Sequence, residues 1–147
     1  MYTNIHATVG TAIVLSTYAV TKSEPIAIAL GGALAFLSHD PVDLLGEKNY
    51  GSKKNLILFE LSALIIFVMA AFGSGKWMLF AAGWIGGNLM DLIDKKGGLS
   101  IINLNKYPYG TFFRCHRRKP KYNLTLKQTK LSTIASIIVI IILSSIL

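Results

Sequence analysis

The sequence predicts an all-α fold: an integral membrane helical bundle of about five transmembrane helices. A basic cytoplasmic segment is expected between helices 4 and 5, and the whole chain, 1–147, is expected to be a single membrane domain. Three observations lead there. Hydrophobic residues make up 52% of the 147 residues and the mean hydropathy is +0.52, more apolar than an ordinary soluble domain. The apolar residues fall in long blocks of the length a bilayer demands rather than in short amphipathic patterns. Lys and Arg are unevenly divided among the connections between those blocks.

The blocks run about 5–21, 26–39, 56–73, 77–93 and 131–147. A span needs about 20 residues and manages with about 17. The first, third, fourth and fifth blocks meet or approach that length. The second is short and glycine-rich, which suits a helix packed among its neighbours, where small residues let backbones come close. Polar breakers separate the blocks: Lys22-Ser23-Glu24-Pro25, then 46-GEKNYGSKKN-55, then 73-GSGK-76, then Lys95-Lys96-Gly97-Gly98. The only long polar stretch, about 95–130, carries Pro108, Pro120, several aromatics and most of the basic charge. It is expected to form a cap rather than a span. The first ten residues, MYTNIHATVG, lack the positive region of a cleavable signal, so the first block is expected to stay in the mature protein. Cys115 is the single cysteine, which rules out an intrachain disulfide. The sequon Asn123-Leu124-Thr125 falls in a stretch placed in the cytoplasm and reads as chance.

Charge sets the expected orientation. With the N-terminus cytoplasmic, the 40–55 and 95–130 connections are also cytoplasmic. They hold thirteen of the fifteen Lys and Arg, leaving Lys22 and Lys76 outside. The C-terminus is then outside, across the inner (cytoplasmic) membrane.

This topology gathers the rare polar residues on one side. His6 starts helix 1, His39 and Asp43 end helix 2, Glu60 lies one turn into helix 3, Asp91 and Asp94 end helix 4, and His116 is in the cap. Several have ordinary explanations. Asp40 before Pro41 has the pattern of an N-cap with proline at the first helical position. Asp91 and Asp94 suit helix-end charges beside Lys95 and Lys96. His6 suits an interfacial histidine, and His116 in 114-RCHRRK-119 suits a basic patch for headgroups. Glu60 is harder to explain that way, because an ionisable group at membrane depth is costly and faces a partner or a cavity. The group as a whole points to metal. His39 and Asp43 are four apart and share a face if the helix continues, although the residue before a proline avoids helical geometry. Imidazole with carboxylate suits zinc, manganese or iron(II), and a thiolate site is excluded by the single cysteine.

The stretches 6-HATVGTA-12 and 31-GGALAFLSHDPVDLLG-46 resemble the HxxxG and GxxSHxxxD signature of small membrane-bound metal-dependent hydrolases. That group includes the LexA-regulated inner-membrane hydrolases and is loosely similar to zinc-dependent phospholipase C. The stretch 86-GGNLMDLID-94 is similar to the group's later PDxxD-type helix, with Met90 where proline is common, and His116 is similar to its cytoplasmic histidine. The resemblance covers the chain to about Arg118. It implies His6, His39, Asp43 and Asp91 as metal ligands, joined by Asp94 and His116. The chain departs from the group in having 116-HRRKPKYN-123 in place of an HRGxTHS element.

Two functions fit these residues. In the first, a divalent metal, zinc above manganese or iron, serves hydrolysis of a membrane lipid or other phosphate or acyl amphiphile. Glu60 or Asp94 would be a further ligand or the general base, and Arg114, Arg117, Arg118 and Lys119 would hold an anionic headgroup. In the second, the cluster is a structural site and the basic segment binds anionic lipid or a protein partner. Nucleic acid fits poorly: no recognised module is present and the aromatics at 107–113 are not spaced for base stacking. The topology has a direct check. A membrane-impermeant thiol reagent leaves Cys115 unlabelled in intact cells and labels it once the membrane is permeabilised; labelling of intact cells reverses the orientation.

Overall fold

In a computed structural model, described for residues 3–43, 49–94 and 124–146, the chain is helical with no strand among those residues. The side chains of Thr3 and Asp94 are not described. The helices are α1 (Thr3–Thr21), α2 (Glu24–Asp43), α3 (Lys53–Gly73), α4 (Trp77–Asp94) and α5 (Leu126–Ser145). Three of them, α2, α3 and α5, are long and apolar enough to cross a membrane, and α4 is a shorter apolar helix.

α3 and α5 start three and five residues before their apolar blocks, because capping rather than hydropathy sets where they start. Ser52 accepts from the Asn55 backbone N–H and starts α3 three residues before the block at 56. Thr125 and Gln128 form a reciprocal capping box that starts α5 at Leu126. The segment expected as cap to residue 130 is therefore helical from Leu126 onward, and Thr125 of the sequon has a structural task.

The second helix corrects the expectation of a short segment ending at His39. It turns tightly at Ser38 and runs on through His39–Asp43, reaching 20 residues. Backbone bonds from Ser38 N to Leu34 O (3.0 Å) and from Val42 N to Ser38 O (3.2 Å) carry the turn across Pro41, which has no N–H to contribute. Asp40 sits inside this last turn, so it does not cap a new helix. Earlier in α2, Ala27–Gly31 is wound as a π-helix, a one-turn irregularity that shifts the face presented to neighbours.

Consecutive helices run in opposite directions. Gly83 packs on Thr11 and Gly87 on His6, so α1 and α4 are antiparallel. Gly31 packs on Val14, and Gly86 on Gly32, which sets α2 against α1 and alongside α4. Small residues carry these contacts. A Cβ at Gly87 would lie 2.2 Å from the His6 carbonyl oxygen, and one at Gly83 would lie 2.4 Å from the Thr11 Cα. No side chain fits between these backbones. Leu79, Phe80, Val14 and Leu15 fill the core beside them, with Phe67 edge-on to Phe80 at 5.5 Å.

Much of the outer surface of α3 and α5 is apolar: Ile57, Met69, Phe72, Leu131 and Ile142 are all exposed. Inside, Thr8, Thr133 and Ser136 donate their hydroxyls to carbonyls one turn back on their own helices, so buried hydroxyls cost little. At the end of the bundle that holds the α1–α2 turn, Lys76 Nζ meets Glu24 Oε1 at 2.7 Å and Tyr18 Oη at 3.2 Å. The Glu24 carboxylate and the Tyr18 hydroxyl hold the Lys76 ammonium above its ordinary range.

Gly83→Ala should force α1 and α4 apart and destabilise the fold by about 1–3 kcal/mol, as overpacking does. Gly32→Ala, whose Cβ would meet nothing within 4 Å, should be neutral or stabilise by about 0.5–1 kcal/mol through lower chain entropy. Thermal unfolding of the two variants in one detergent separates these outcomes.

Candidate metal centre

His6 comes from the second turn of α1, and His39 and Asp43 from the last turns of α2. They converge because Gly87 lets α1 seat its His6 backbone directly on α4. His39 and Asp43 share a face because the helix continues past Pro41, so their four-residue spacing becomes one turn. The two imidazole rings stack at 4.0 Å between centroids, 6° from parallel. His6 Nε2 lies 3.1 Å from Asp43 Oδ1, and His39 Nε2 lies 3.2 Å from Asp43 Oδ2. Both histidines are fully buried, while Asp43 is 21% exposed and marks the open side.

One bond settles the chemistry of His39. Its Nδ1 lies 2.8 Å from the Gly87 carbonyl oxygen. A carbonyl can only accept, so Nδ1 carries the proton. In neutral His39, Nε2 then presents a lone pair toward Asp43 Oδ2. Two acceptors at 3.2 Å repel one another unless a positive charge, a proton or a metal cation, sits between them. A buried imidazole whose far nitrogen is tied to a backbone carbonyl is also the usual posture of a metal-ligating histidine.

The two distances to Asp43 are near those between ligands of one ion, while the stacked rings hold their lone pairs in parallel planes, so an ion between them needs a turn of one ring. Ligands about 2.1 Å from one cation at tetrahedral angles are roughly 3.4 Å apart, close to the observed 3.1 and 3.2 Å. Ligand atoms of His6, His39 and Asp43 all lie within 4.8 Å of one another. Asp91 stands beside this trio on α4, its Oδ1 4.0 Å from His39 Nε2. That is slightly wider than neighbouring ligands on one ion.

Glu60 stands apart from this group. Glu60 receives a hydrogen bond from the Tyr50 hydroxyl and lines a cavity between α1, α3 and α5. It is not among the residues that group with His6. Asp94 closes α4 on the same end of the bundle. His116, Arg114, Arg117, Arg118 and Lys119 lie outside the described residues. Sequence reasoning missed the Gly87 carbonyl, since a backbone acceptor has no residue signature. It also missed Tyr50, although the polar demand of Glu60 in an apolar helix was the signal for such a partner.

Over the described residues, fold and site together define a helical protein with helices fit to cross a membrane and a buried His-His-Asp group that could hold a metal ion. Compared with family models, curated proteins and solved structures, the chain matches none of them.

Purified protein reconstituted with zinc or manganese should hold near-stoichiometric metal by mass spectrometry. His39→Ala and Asp43→Ala should lose it, and Glu60→Ala should keep it. Acidification should release the ion, because imidazole must shed its proton to bind.

Proposed function

We propose that the chain is an integral membrane protein of five spans and a metal-dependent hydrolase of lipids or other phosphate or acyl amphiphiles, acting at the cytoplasmic membrane surface. The observation that supports this most is the convergence of two buried imidazole Nε2 atoms on the two oxygens of Asp43. The resemblance of the His6, His39 and Asp43 stretches to membrane-bound metal-dependent hydrolases points the same way, as does the division of basic residues that puts this end of the bundle in the cytoplasm.

When bound, a divalent ion supplies a Lewis acid for the ester oxygen and an activated water. The chain contributes the rest. His6, His39 and Asp43 would hold the ion, with zinc the best match to two imidazoles and a carboxylate. The Gly87 carbonyl keeps the His39 proton on Nδ1 and the lone pair turned inward. Asp91, its Oδ1 4.0 Å from His39 Nε2, would be a further ligand, and Asp94, the last residue of α4, would be the general base. Burial of both rings excludes water from one side and leaves approach past Asp43. Arg114, Arg117, Arg118 and Lys119 would meet an anionic headgroup through charge-assisted hydrogen bonds.

A second reading has its own support. Separations of 3.1 and 3.2 Å are also hydrogen-bond lengths. A proton in place of a metal would make the same cluster a clasp joining the ends of α1 and α2. Metal content separates the two readings. The hydrolase reading requires that purified protein cleave a phospholipid when divalent metal is present. Activity should vanish in His39→Ala and persist in Lys127→Ala, which alters an exposed residue on α5. Metal-loaded protein that cleaves no member of a phospholipid panel removes the hydrolase reading and leaves a structural metal site.

A further inference from the structure

A second feature lies across α1 from the histidines. Asn4, Ala7 and Thr8 form one wall of a cavity of about 380 Å³, with α3, α5 and Trp84 of α4 as the others. Its α3 wall extends from Leu56 to Phe67, eleven residues or roughly 16 Å at a rise of 1.5 Å per residue. A hydrocarbon chain held at contact distances of about 4.5 Å fills roughly 260 Å³ over that length, and a helix about 10 Å across fills roughly 1,300 Å³. The cavity of about 380 Å³ therefore has room for extended hydrocarbon and not for a helix of a second copy.

The lining is graded along its length. Thr8 and Ser136 face it but spend their hydroxyls on their own helix carbonyls, so they present little polarity. Leucine, isoleucine, phenylalanine and tryptophan make up most of the remainder. Polar atoms gather toward one end, at Asn4 in the first turn of α1 and at Glu60 with its Tyr50 partner. That is the end of the bundle where His6, His39 and Asp43 stand. Ile57 and Leu61 line the space and yet remain exposed, so it opens sideways, where hydrocarbon would surround α3.

We propose that this cleft is an acyl-chain slot: it takes the hydrocarbon of a membrane amphiphile, polar end outward past Asn4 and Glu60. The proposal rests on the hydrolase reading for its link to the metal centre, and it narrows the substrate to an amphiphile whose hydrocarbon is drawn out of the bilayer beside α3. His6 faces away from the slot, so the headgroup reaches the cluster over the N-terminal turn of α1.

The test uses the full chain in phosphatidylcholine nanodiscs with palmitic acid carrying a diazirine in its chain. After irradiation, cross-linked peptides are mapped by mass spectrometry. The wild type should be labelled mainly within 56–67 and 136–140. Ala63→Trp, which fills the slot from α3, should lose that labelling. Ala135→Trp, on an exposed part of α5 outside the slot, should keep it. If Ala63→Trp fails to fold, Ser136→Leu narrows the slot from the opposite wall and should give the same loss. Equal labelling of the slot-filled and wild-type proteins, or labelling spread evenly over the exposed faces of all helices, overturns the proposal. Metal content measured on the same samples keeps the two ideas apart. Metal present with no slot labelling removes the slot alone; slot labelling without metal removes the hydrolase reading and leaves a lipid-binding cleft.

Discussion

The close approach of α1 to α4 is the constraint on which the rest of this structure depends. At Gly83 and Gly87 the two backbones touch with no side chain between them. This contact sets the depth at which His6 enters the bundle. It also leaves the Gly87 carbonyl, exposed to α2 by the same lack of a side chain, as the acceptor for His39. One glycine thus places one histidine through its missing Cβ and orients another through its carbonyl. Packing by small residues is how helices associate when the surroundings are as apolar as their side chains.

The polar cluster shows why such precision is needed. Two imidazoles and a carboxylate in an apolar bundle lose their hydration, and that loss is tolerable only if each finds a partner. Asp43 meets both rings through its two oxygens, and Gly87 holds the far side of His39. Positive charge between the rings and the carboxylate, as protons in the two N···O contacts or as a metal cation, would complete the cluster.

The opposite end of the bundle is built differently. Lys76, Glu24 and Tyr18 form a half-exposed set that ties the start of α4 to the start of α2 and the end of α1. Screening by water keeps such a pair weak. The two ends differ in kind: one holds buried ionisable groups beside an apolar cleft, and the other a partly exposed ion pair that ties helices together.

The sequence by itself determined the helical class, the places of the helices to within a few residues, and the identities of His6, His39 and Asp43. Those follow from local properties: block hydropathy, turn residues, and the spacing of rare polar groups in apolar surroundings. It misplaced the end of α2 because Pro41 argues locally for a break, while two backbone bonds around Ser38 carry the helix past it. It could not tell Glu60 from the ligands, because both look like ionisable groups inside apolar helices. Only the tertiary structure separates them, by turning Glu60 to a cavity and Tyr50 while the glycine contact turns His6 to His39. The tautomer of His39 and the apolar cleft between α1, α3 and α5 are likewise properties of helices brought together. They depend on distances between segments far apart in the chain, which no local pattern encodes.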